Sequence, residues 1–145
     1  MSGIPQVRKT GPRTYVPAEL ILGGQVVEAR AAGRIGPAGA GSVKTLGVAV
    51  TDAINPEGIA TEPTIANGRT VLNAAPLPTV VAVADSGIEV PVKYAAAAAF
   101  GDRLKAAAAG AVTPMLAEDD PRSYVGKCTQ PAGVAAGSIG LVTTA

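Results

Sequence analysis

The sequence predicts an all-β domain built from two similar hairpin units. The first observation behind this is a repeat. "GQVVEARAAGRIGP" at residues 24–37 returns as "GDRLKAAAAGAVTP" at residues 101–114, with Gly24 matching Gly101, Gly33 matching Gly110 and Pro37 matching Pro114, each 77 positions on. The second is a succession of short β-branched runs separated by turn pairs, the pattern of hairpins. The third is composition. Aromatic residues make up 3% with no tryptophan, so alanine and branched aliphatics must supply the core in thin layers that each bury little area.

The elements follow in order. Residues 1–17, "MSGIPQVRKTGPRTYVP", hold Pro5, Pro12 and Pro17 with Arg8, Lys9 and Arg13. Proline blocks helix and disfavours central strands, so these residues read as an extended arm preceding a single β-rich domain at 18–145. "LILGGQVVEAR" gives apolar runs broken at a Gly-Gly turn, "AAGRIGPAGAGS" a small-residue loop, and "VKTLGVAVTDA" a strand. "NPEG" is a turn, and Asn67-Gly68 between β-branched residues is the best hairpin signal in the chain. "PLPTVVAVADSGIEVPVKY" reads as two strands around Asp85-Ser86-Gly87, with Ile88, Val90 and Val92 alternating against Glu89, Pro91 and Lys93. Pro91 then belongs at an edge or bulge.

Propensity alone favours helix across the alanines of residues 93–110. Gly101 interrupts that run, and the first copy carries Val26, Val27 and Ile35 at the equivalent places. A turn, a short strand, a second turn and another short strand is therefore expected at 101–114. One short helix near 94–100 stays open as the alternative. The match continues beyond the proline: "TLGVAVTDA" aligns with "YVGKCTQPA", Gly47 on Gly126, two residues having been inserted. A final β-rich run covers residues 139–144. Duplicated hairpins of this kind can close a small barrel or sandwich.

Charged residues are 16% of the 145, well below the usual quarter, which suits a chain that presses against copies of itself or a scaffold. A net charge of +1 argues against a duplex nucleic-acid binder. No apolar run approaches the ~18 residues of a membrane span, and "AELILGG" is too short for a signal-peptide core, so a soluble product of the cytoplasm is expected.

Catalytic patterns are weak. There is no histidine, which removes the commonest general base, metal ligand and nucleophile activator. Cys128 excludes an internal disulfide, and Lys127 beside it in a strand faces the other way. In "GPAGAGSVKT" Ser42 and Val43 separate Lys44 from the glycine that a phosphate loop requires. "AEDDP" at 117–121 clusters three carboxylates but lacks the spacing of a calcium loop, so a solvated turn is expected. Asp102 reads as a turn residue; its counterpart is Gln25. No cofactor or metal is expected, and no enzymatic activity.

The stretches "GGQVVEARAAGRIGPAGAGSVKTLGVAVTDA", "SGIEVPVKYAAAAAFGDRLKAAAAGAVTP" and "YVGKCTQPAGVAAGSIGLVTTA" resemble the small head decoration, or capsid-stabilising, proteins of tailed bacteriophages. Those chains likewise pair a glycine–aspartate hairpin with a strand of the "xxVG" type and a valine-rich finish. The resemblance spans about residues 20–145 and is one of pattern and composition. It implies a small β-barrel-like or β-tulip-like domain on the outside of the virion capsid, contacting the major capsid protein as a homotrimer and bridging capsomers. Arg8, Lys9 and Arg13 are then the candidate capsid contacts. Alternatives are a phage tail-tube or other self-assembling virion subunit, and a cellular β-barrel carrier domain. A carrier of the lipoyl type needs a lysine at a hairpin tip, whereas Lys105 lies beside Leu104 within the alanine run.

Overall fold

Two copies of one five-stranded antiparallel sheet, joined end to end in the chain, make up most of the described residues. The fold is described for residues 11–58, 64–71 and 77–145 in a computed structural model. The first copy contains β1 (Arg13–Tyr15), β2 (Val26–Ala29), β3 (Ile35–Pro37) and β4 (Thr45–Ala49). A separate hairpin of β5 (Thr64–Ala66) and β6 (Arg69–Val71), turned at Asn67-Gly68, precedes the last strand, β7 (Val81–Ala84). The second copy contains β8 (Glu89–Lys93), β9 (Arg103–Ala106), β10 (Val112–Pro114), β11 (Tyr124–Cys128) and β12 (Ile139–Thr144).

The strand orders are β1-β7-β4-β2-β3 and β8-β12-β11-β9-β10. Position for position these are the same sheet. Finer features repeat as well. Parallel bridges join Pro17 to Ile35 and Tyr94 to Val112; antiparallel bridges join Ile21 to Ala53 and Ala98 to Val134. Each ladder between the second and fourth strands of its sheet carries one irregularity, beside Gly47 in the first copy and Gly126 in the second. Turns at Ala31–Gly33 and Ala108–Gly110 place Ala32 and Ala109 in the left-handed region, at φ 59° and 56°. The copies differ mainly between their last two strands, where residues 50–80 of the first stand against 129–138 of the second. The β5–β6 hairpin sits in that longer connection and has no counterpart.

All-β architecture and two similar units are thus as the sequence predicts, but both sheets stay open and no barrel closes. Residues 94–100 form no helix. Tyr94 and Ala98 bridge to Val112 and Val134, and the Ala95 and Ala98 N–H groups donate to Val112 and Val134 carbonyls. Those long-range bonds take the amides a helix would need. Of the stretch assigned to an arm, residues 1–10 lie outside the described residues, and residues 13–17 belong to the first sheet: β1 pairs with β7, and Pro17 bridges Ile35. Asp85-Ser86-Gly87 closes no hairpin, because β7 and β8 lie in different sheets. Thr144 secures this crossover: its hydroxyl donates to the Asp85 carbonyl and accepts from Ile88 N–H at 3.1 Å, while its carbonyl accepts from Gly87 N–H at 2.9 Å. Pro91 is on an edge strand, as required.

The two sheets are buried differently. In the second, Leu104, Cys128 and Val142 point into the core, while their neighbours Arg103 and Lys127 are exposed and Thr143 is half-buried. In the first, adjacent residues are both buried, Val26 with Val27, Val48 with Ala49, and Val83 with Ala84. Alternation along a strand sends the members of each pair to opposite faces. Val27, Ala49 and Val83 form the core of the first copy, and Val26, Val48 and Ala84 join the core of the second. The first sheet is therefore an inner layer. Each of its outward valines contributes about 1.5–3 kcal/mol relative to exposure.

Tyr94 is fully buried and donates its hydroxyl to the Leu141 carbonyl at 2.8 Å. Burial, and then the neighbouring Cys128 thiol, push the phenol above its ordinary value of 10.0. The neutral phenol is the form the fold keeps, so its contribution is intact below about pH 10 and is lost as pH rises through the raised value. Above about pH 10 the parent is expected to lose up to ~1.4 kcal/mol per pH unit from this group. Tyr94→Phe should start about 1 kcal/mol lower at neutral pH and lack that component of the alkaline slope. Urea unfolding between neutral pH and about pH 11.5 would show it, and parallel slopes would rule it out.

Candidate binding surfaces

Cys128, Asp102 and the acidic residues of "AEDDP" each have a definite place in the structure. Cys128 is buried in β11, with Lys127 facing solvent. Asp102 Oδ2 accepts the Ala99 N–H at 2.8 Å, and Gln25 Oε1 accepts the Leu22 N–H at 2.9 Å, the same turn in each copy. In "AEDDP", Asp119 takes Lys105 Nζ at 2.6 Å and the Leu116 N–H at 2.7 Å, while Asp120 caps the turn Pro121–Ser123 through the Arg122 N–H. These hydrogen bonds, led by those from the Lys105 and Arg122 side chains, hold both carboxyls below their ordinary values. Glu57, bonded by Arg34 at 2.6 Å, is held down to about 2. Among the described residues no group of three histidine, cysteine, aspartate or glutamate side chains could hold a metal ion. Lys105 lies in β9 rather than at a hairpin tip.

Of the three predicted contact cations, Arg8 and Lys9 lie outside the described residues. Arg13 is exposed on edge strand β1, its guanidinium 5.7 Å from the centre of the Tyr15 ring.

Sequence reasoning missed the contact between the copies. The turn Ala108–Gly110 of the second copy seats on the start of β2 in the first. Gly110 N–H donates to the Ala38 carbonyl at 3.0 Å, and Gln25 Nε2 donates to the Ala109 carbonyl at 3.1 Å. Beside it, Gly41 N–H donates to the Ala106 carbonyl at 2.9 Å. The loop that briefly resembled a phosphate cradle is thus half of a seat for the second copy. An apolar groove of about 850 Å³ runs along this junction past Leu22, Val50, Pro91 and Ile139. Ile139 is 72% exposed, and Phe100 and Leu116 are 63% and 60% exposed elsewhere on the second copy. With so few charges in the chain, these exposed apolar residues are its candidate contact surfaces.

Neither the family models nor the curated proteins contain a match to this chain. Solved structures do share its architecture. The N base of head fiber gp8.5 of bacteriophage phi29 superposes with a TM-score of 0.60, covering 94% of this chain and 95% of that one at 14% identity. Similarity at that identity is a likeness of fold, and it extends over both copies of the sheet.

Proposed function

We propose that this chain is a structural protein of a tailed-phage virion, mounted on the outside of the head. There it contacts the major capsid protein and bridges capsomers, acting through contact and not through catalysis. The observation that carries this reading is the near full-length fold match to a phage head-fiber base. Low charge, small side chains and exposed Phe100, Leu116 and Ile139 agree with it. A trimer would present several copies of each weak contact at once, so that binding strengthens by multiplicity. The likeness to a fiber base also favours a second reading, in which the chain anchors an appendage without cementing the shell.

Sedimentation with undecorated phage heads tests this. Saturable binding with a raised shell melting temperature is the expected result. Saturable binding at an unchanged shell melting temperature would favour the anchor. Absence of binding would sink both, and filaments formed without shells would point to a tail-tube subunit. Changing Arg8, Lys9 and Arg13 together to glutamine should weaken binding in low salt and flatten its salt dependence. Unaltered salt dependence would remove these cations from the contact.

A further inference from the structure

The contact between the two copies is one-sided. The turn Ala108–Gly110 is seated on the first copy, and Gly110 is buried. Its counterpart, Ala31–Gly33, is exposed throughout, and nothing lies within 4 Å of where a Gly33 side chain would begin. Among the described residues a second seat is also unused. The positions equivalent to Gln25, Val26 and Ala38 are Asp102, Arg103 and Met115 in the second copy. These three line an open groove of about 460 Å³, with Leu116 exposed at its side. One tip and one seat are therefore satisfied within the chain, and one tip and one seat are left over.

We propose that the free tip, Ala31–Gly33, docks into the Asp102–Met115–Leu116 groove of a second copy of this chain, so that copies associate head to tail. The polarity of the two seats agrees. In the filled seat the host supplies a side-chain donor, Gln25 Nε2, and the guest tip is flanked by Ala107 and Ala111. In the open seat the host groove is lined by two carboxylates, Asp102 and Asp119, beside Arg103, and the guest tip is flanked by Arg30 and Arg34. Arg30 is engaged by Glu19 and Glu28, and Arg34 by Glu57, but a guanidinium has five donors and serves more than one acceptor. On the sheet face, exposed Lys127 stands where the first copy has buried Val48. The contact is thus confined to tip and groove, and the sheet face stays in solvent. A heterologous contact of this kind makes a ring if its rotation closes. The inference sharpens the oligomer invoked above but does not depend on shell binding, which can fail while this contact stands.

Light scattering on the full chain tests it with two exposed substitutions, Ala31→Trp on the tip and Leu116→Arg on the groove. The parent is expected to run as an oligomer, and each variant as a monomer with the parent's melting curve. An equimolar mixture of the two variants should run as a dimer, because exactly one intact tip can meet one intact groove. A monomeric parent, variants that keep the parent's mass, or a mixture that stays monomeric would each overturn the proposal. If Leu116→Arg melts early, Leu116→Ser carries the same test.

Discussion

Replacing Gly126 with alanine is expected to destabilise the domain by about 3 kcal/mol or more, with a similar loss for Gly47→Ala. A methyl group at 126 would overlap the Thr143 carbonyl oxygen and meet Val142 Cγ1 at 3.0 Å; one at 47 would overlap the Ala84 carbonyl oxygen and meet Val83 Cγ1 at 3.1 Å. Both oxygens belong to strands paired in the middle of a sheet. They cannot move aside without loosening the ladder. Gly47 adds a φ of 150°, which side-chain-bearing residues avoid. The two glycines occupy the same place in the two copies, so the close approach of adjacent strands is a property of the repeat. Chemical unfolding checks this, with Gly39→Ala as the control, since nothing lies within 4 Å of its Cβ position. The control should stay within about 0.5 kcal/mol of the parent. A Gly126→Ala protein as stable as the control would refute the close approach.

The second large effect separates the two tips. Gly110 and Gly33 have nearly the same backbone, with φ of 72° and 70°, so alanine brings the same conformational strain to both, about 1 kcal/mol. Only at Gly110 would the methyl also press on Gln25 Cβ and the Val26 carbonyl oxygen, each at 2.8 Å. Gly110→Ala is therefore expected to cost about 3 kcal/mol and Gly33→Ala about 1 kcal/mol. The comparison belongs at concentrations where the chain is monomeric. Equal losses would mean that the second copy does not sit on the first.

Much of this fold is legible in the chain. The match of residues 24–37 to 101–114 corresponds to equivalent strands β2–β3 and β9–β10, and it outweighs the alanine run in deciding against helix. The alternation from Ile88 to Lys93 gives both the faces of β8 and, through Pro91, its place at an edge. The inner position of the first sheet also had a sequence signal that went unread. Where the first copy writes Val-Val, Val-Ala and Val-Ala, the second writes Arg-Leu, Lys-Cys and Val-Thr. A paired apolar run buries both faces of a strand, and an alternating pair buries one.

Other features had no local signal. Residues 13–17 and 90–94 fill equivalent places in their sheets but share almost no sequence, because edge strands are held by backbone pairing that many side chains permit. The candidate contact surfaces were equally hidden, since exposure of Ile139 depends on which face β12 turns outward, and that of Phe100 and Leu116 on how the turns beside β9 and β10 pack.

The sequence by itself determined most of the strands, the turns and their duplication, because β-branched runs, glycines and prolines act on the few residues around them. Only the tertiary structure decided which strands pair, that the sheets stay open, and that one tip is seated while its twin is exposed. Those outcomes rest on contacts between residues as far apart as Gln25 and Ala109, and no local preference encodes a partner at that distance.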